Sequence, residues 1–243
     1  MSDEQTRSLL LVVLGATATW LWWSGEVLNY VRPGLAPYLL AGGVILVGLG
    51  LLPPLGLLGD QAAGHPGHHH RAWVGWLLLV PVLVVMLVQP TALGSYAVSS
   101  RSTVPGGDGG FQPLAAPVRG AVPMSMAEFV TRAERDPAQS LAGVRVRLVG
   151  FVAPSQGQEG GYRLTRFVIF CCAADAEALQ AVVRGDRTPR ARDQWLEVEG
   201  TWLARPVAAE DDPSPPPPAL HVDSVRPVAP ARPPYEYSVQ FSG

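Results

Sequence analysis

Two clusters in this chain of 243 residues hold side chains that could do chemistry. The first is Cys171-Cys172, the only cysteines, within Arg166-Phe167-Val168-Ile169-Phe170-Cys171-Cys172-Ala173-Ala174-Asp175-Ala176. The second is His65-Pro66-Gly67-His68-His69-His70, which holds four of the five histidines. Imidazole and thiolate are the ligands that zinc, copper and nickel favour, and histidine-rich tracts recur as metal-binding segments. Glycine and proline neighbours make the histidine segment a pliable loop, suited to capture or handover rather than to a closed tetrahedral cage. A polar, solvated loop without a metal is the alternative.

Adjacent cysteines are not a disulfide framework, and a bond between neighbours closes a small, strained ring. In a regular strand, neighbouring side chains point to opposite faces. Phe167, Ile169 and Cys171 then share one face, and Arg166, Val168, Phe170 and Cys172 the other. Both thiols meet one metal only if the strand breaks. A helix expected over about Ala174 to Arg184, with Ala176, Leu179, Gln180 and Val183 at helical spacing, supplies such a break. It would place Cys172 at a helix amino terminus, where the dipole favours a thiolate. Asp175 would act there as a capping carboxylate or a metal ligand, with Arg166 as its partner, and His221 joins if its strand neighbours the corner. Two thiolates, a carboxylate and a histidine suit zinc. Thiol redox chemistry and an inert packed corner are the alternatives.

The rest of the chain offers little catalytic vocabulary. All 18 basic residues are arginine, which excludes a Schiff-base or phosphate-loop lysine. The C-x-x-C dithiol spacing is absent, as are a serine–histidine–acid pattern and a paired carboxylate cluster. These absences argue against an enzyme. A net charge of -2 and few aromatics among the arginines argue against nucleic acid as a partner.

The elements that must position these residues fall into two parts. Residues 8–93 are strongly apolar, and residues 1–98 read as a membrane part with spans near 8–31, 35–58 and 73–93, each of 21 to 24 residues. At ~1.5 Å per residue each is long enough for a hydrocarbon core of ~30 Å. Glu26 is the one acidic residue inside an expected span, either a functional group or a helix-end residue reaching the interface. Glycines 42, 43, 48 and 50 are candidates for close helix packing. The positive-inside count narrowly favours a cytoplasmic amino terminus and an extracytoplasmic carboxy-terminal domain.

Residues 99–122 read as a flexible linker of serine and glycine, and residues 123–243 as a soluble domain. Ser125-Met126-Ala127-Glu128 has capping-box spacing for a helix that Pro137 ends. Strand-like runs follow at Val144–Val152, Tyr162–Phe170, Trp195–Leu203, with Gly200 at a bulge, and Leu220–Val228. Short strands with one helix predict a small, mainly-β domain, an OB-like barrel. The proline-rich stretch from Arg205 to Pro218 reads as a stiff surface loop.

Ser24-Gly25-Glu26 to Tyr30-Val31-Arg32-Pro33, the histidine loop, Gly75 to Pro81 and above all the run from Arg166 to Ala176 resemble the YcgQ-like family of bacterial membrane proteins. The resemblance covers nearly the whole chain, apart from the Pro213 to Pro218 insert. It implies a subunit in a bacterial cell membrane beside a YcgR-type predicted permease. It implies no catalytic residues. Zinc or another divalent transition metal is the cargo or ligand suggested by the histidines and cysteines themselves.

Overall fold

The computed structural model describes residues 3–52, 91–98, 111–154, 161–204 and 216–237, with isolated positions between 77 and 87. The chain divides into two compact units, Met1–Thr91 and Ala92–Gly243.

In the first unit, α1 (Asp3–Ser24) packs along α2 (Ala36–Leu51). Small residues let the two backbones approach. A Cβ on Gly15 would strike the Gly43 carbonyl and Val47, and one on Gly50 would strike the Ser8 carbonyl and Val12. The helices therefore run antiparallel, and Gly43 and Gly50 sit at the contact while Gly42 and Gly48 face open space. The hydroxyls of Thr17 and Thr19 donate to the carbonyls of Val13 and Gly15 one turn back. Gly25, at φ 77°, breaks α1 and opens a short turn over Glu26–Asn29. Glu26 is exposed in that turn, hydrogen-bonded by the Asn29 side chain, so it lies between the helices rather than inside one.

Among the described residues one helix is long and apolar enough to cross a membrane, Pro33–Leu51, with 19 residues and a mean hydropathy of 1.9. It falls within the second expected span. The first expected span is helical as α1 but does not reach that measure, and most of the third lies outside the described residues. Three crossing helices are therefore not shown.

The second unit is mainly β. Its strands are β1 (Val122–Pro123), β2 (Arg145–Pro154), β3 (Tyr162–Ile169), β4 (Glu177–Arg184), β5 (Trp195–Leu203), β6 (Ala219–Pro227) and β7 (Glu236–Tyr237). They form one sheet in the order β1-β2-β5-β6-β4-β3-β7, and β2 also pairs with β3. The pairings thus lead from β2 through β5, β6, β4 and β3 back to β2. The β4–β6 pair is parallel and the other four in this circuit are antiparallel. Alternation sends Val146, Leu148, Val152, Leu164, Val168, Leu179, Ala181, Val183, Leu196 and Val198 to the main core. A second cluster, built on Phe151, Ala153, Phe167, Ile169, Ala178 and Tyr235, covers other faces of these strands. The register shift between Glu199 and Gly200 is the expected bulge, and a Cβ on Gly200 would strike the His221 carbonyl.

Among the described residues the one α-helix of this unit is α3 (Met126–Arg135), and Ser125 caps it by accepting from the Glu128 amide at 3.0 Å. The helix expected over Ala174–Arg184 is instead β4. Its alanine, leucine and glutamine favour a helix in isolation. Here both faces are buried, Leu179, Ala181 and Val183 in the main core and Ala178 in the second, and β3 and β6 take its backbone hydrogen bonds. Tertiary pairing outweighs local preference.

A buried ion pair ties α3 to the sheet. The carboxylate of Glu236 on β7 accepts from the Met126 and Ala127 amides at 2.9 and 2.8 Å. It lies 3.7 Å from the Arg166 guanidinium, which is itself 4.9 Å above the Trp195 ring. Burial pushes the Glu236 carboxyl up and the Arg166 guanidinium down, and their mutual attraction opposes both shifts. Removing one member leaves the other charge uncompensated in the interior, at a cost of about 3–5 kcal/mol. Glu236→Ala also orphans two amides of α3. We expect this variant to lower the melting midpoint of the second unit by about 10 °C in a thermal unfolding experiment on the full chain; an unchanged midpoint would show that the pair carries no stability.

Candidate functional site

The cysteine corner is a tight reversal between β3 and β4. β3 stops at Ile169, before either cysteine, so alternation no longer applies when the thiols are reached. The Asp175 carboxylate then gathers the chain. One oxygen accepts from the Phe170 amide at 3.0 Å, and the other from the Cys171 and Cys172 amides at 2.7 and 3.3 Å. A single turn of 3-10 helix, Ala173–Asp175, with Cys172 as its cap, passes the chain into β4. No α-helix follows Cys172: the expected helix over 174–184 is this single 3-10 turn and then β4.

This turn brings both thiols together. The sulfurs are 3.5 Å apart, well beyond the ~2.05 Å of a disulfide, and both cysteines are free. Cys171 is exposed and Cys172 half-buried. The two sulfurs and an Asp175 oxygen all lie within 4.8 Å of one another, a grouping able to hold a metal ion.

The electrostatics of the corner are unusual for a reactive thiol. The hydrogen bond to Asp175, then the bond to Cys172, push the Cys171 thiol up to about 12. The Asp175 carboxyl is held below its usual range: burial opposes this, but the Cys171 thiol and three backbone amides outweigh it. The corner thus keeps a carboxylate ionised and its neighbouring thiol protonated. A bound cation reverses that balance, because coordination favours the thiolate and releases the proton.

The other expected partners are elsewhere. Arg166 pairs with Glu236, not with Asp175. His221 stands opposite Arg184, at the far end of β4 from the corner. At ~3.3 Å per residue the seven steps from Glu177 to Arg184 span about 23 Å, so His221 is no ligand of this site. His65, His68, His69 and His70 lie outside the described residues. Glu236 and its link to Arg166 went unnoticed in the sequence. Arg166 shares its strand face with Leu164 and Val168, both core residues, and an inward arginine signals a buried counter-charge.

Residues 127–238 match the family model for the DUF1980 C-terminal domain, a domain of unknown function. The matched stretch runs from α3 through β7 and includes the vicinal cysteines. No curated protein matches the chain.

Asp175→Asn removes the charge that suppresses ionisation of Cys171. At pH 8 a thiol titrating near 12 is thiolate to about one part in ten thousand, against roughly a quarter for an ordinary cysteine. Alkylation of Cys171 by iodoacetamide at pH 8, followed by mass spectrometry, should run at least about tenfold faster in the variant. Equal rates would show that Asp175 does not control the thiol.

Proposed function

We propose that this chain is an accessory subunit of a membrane permease complex and that Cys171, Cys172 and Asp175 bind a divalent transition metal, zinc foremost, for capture or handover. The observation that carries the reading is the convergence of two thiols and a carboxylate in one turn. Two sulfurs at ~2.3 Å from a tetrahedral zinc stand about 3.8 Å apart, and the corner already holds them at 3.5 Å. Three donors leave a fourth position open, which suits exchange more than permanent structure. The raised thiol makes Cys171 a poor attacking group in the alternative of a redox protein.

The scaffold is read as a small OB-like barrel. Five strands paired in a circuit, with one parallel contact between β4 and β6, support that reading. The apolar helix Pro33–Leu51 supports a membrane location, and the arginine count of the expected loops favours an extracytoplasmic barrel. The YcgQ-like resemblance supports a YcgR-type permease as partner. The histidine loop, His65 and His68 to His70, is a second point of metal contact in this scheme.

Metal analysis of the purified full chain tests the central part. Wild type loaded with zinc and desalted should retain about one more equivalent than Cys171→Ser/Cys172→Ser, whether or not the four loop histidines are replaced. Equal zinc with and without the cysteines would contradict the proposal. Affinity purification from a bacterial membrane, with no multi-span protein recovered, would remove the permease half separately.

A further inference from the structure

The opposite end of the β3–β4 hairpin carries a second constellation. A cleft of about 710 Å³ opens where the end of β2 (Val152, Pro154), the start of β3 (Gly161, Tyr162) and the loop after β4 (Gly185 to Thr188, Pro189, Arg190, Arg192) meet. Small-molecule sites fall in this range, ~300–1,000 Å³. At ~3.3 Å per residue, the eight residues of β3 set it about 26 Å from the cysteine corner.

The loop is held in one shape by Asp186. Its carboxylate accepts from the Thr188 amide at 2.9 Å, from Arg190 Nε at 2.9 Å and Nη2 at 2.8 Å, and from the Tyr162 hydroxyl at 3.2 Å. Arg190 therefore neutralises Asp186. Arg187 and Arg192 line the same cleft. Both are exposed, and neither has an ion-pair partner among the described residues. The formal charge of the lining is +2, from three arginines and one aspartate.

Guanidinium groups offer planar forks that match the oxygens of a phosphate, and a site with two unpaired forks selects a dianion over a simple carboxylate. Inorganic phosphate alone fills only a small part of this volume. Val152, Pro154, Pro189 and the Tyr162 ring supply an apolar wall for a larger body. We propose that this cleft binds an organic phosphate, with Arg187 and Arg192 on the phosphate and the apolar wall against the body. The phosphate belongs either to a soluble ester or to an anionic phospholipid headgroup, and the two sources are separable.

The full chain in phosphatidylcholine nanodiscs is titrated calorimetrically with glycerol 3-phosphate, and the titration is repeated in discs containing phosphatidylglycerol. Saturable binding with Kd below about 1 mM is expected in phosphatidylcholine. It should weaken at least tenfold in Arg187→Gln/Arg192→Gln and stay unchanged in Arg226→Gln, whose guanidinium pairs with Glu197 on β5. Phosphatidylglycerol that abolishes the signal assigns the cleft to a headgroup; an unaffected titration assigns it to a soluble ester. No saturable binding in phosphatidylcholine discs, or equal binding by the double variant, overturns the proposal.

Discussion

The Asp175 carboxylate is the interaction on which both the second unit and its candidate site depend. It draws the Phe170, Cys171 and Cys172 amides onto two oxygens. That capture ends β3 at Ile169 and starts β4 at Glu177. Without the reversal, β4 could not lie antiparallel to β3 and also meet β6, and the circuit of strands would stay open. The same reversal takes the two cysteines out of strand geometry and sets their sulfurs together. Fold and site share one cause.

Aspartate plays this part repeatedly. Asp136 accepts from the Ala138 and Ser140 amides after α3, and Asp186 from the Thr188 amide after β4. Each carboxylate supplies acceptors where the chain leaves a regular element and its amides lose their partners. At Asp175 the arrangement also places a charge beside a thiol, and at Asp186 it fixes a loop that carries arginines. A turn device thereby leaves two chemically distinct ends on one hairpin: two thiols beside a carboxylate at one, a cluster of arginines at the other.

Local signals were legible in the sequence, and distant ones were not. The Ser125 cap, the Gly200 bulge and three strands over Val144–Val152, Trp195–Leu203 and Leu220–Val228 follow from short-range spacing and are present within a residue or two. Of the four glycines expected at a helix contact, Gly43 and Gly50 pack there and Gly42 and Gly48 do not. The helix over 174–184 failed because a strand buried on both faces loses its alternation and, when rich in alanine and leucine, mimics helical spacing. The meeting of the two thiols was stated only as a condition, since a regular strand forbids it and nothing local marks where β3 stops. His221 and Glu236 depend on strand order. His221 lies on β6, beside the wrong end of β4, and Glu236 reaches Arg166 across 70 residues of chain.

X-ray absorption at the zinc edge tests the central claim most directly, because it reads the donor atoms themselves. For the full chain with its four loop histidines replaced and one zinc bound, the account predicts two sulfur scatterers at about 2.3 Å, with oxygen completing the shell. A shell of nitrogen and oxygen alone would contradict it, and would mean that the turn built by Asp175 holds two thiols together without using them on a metal.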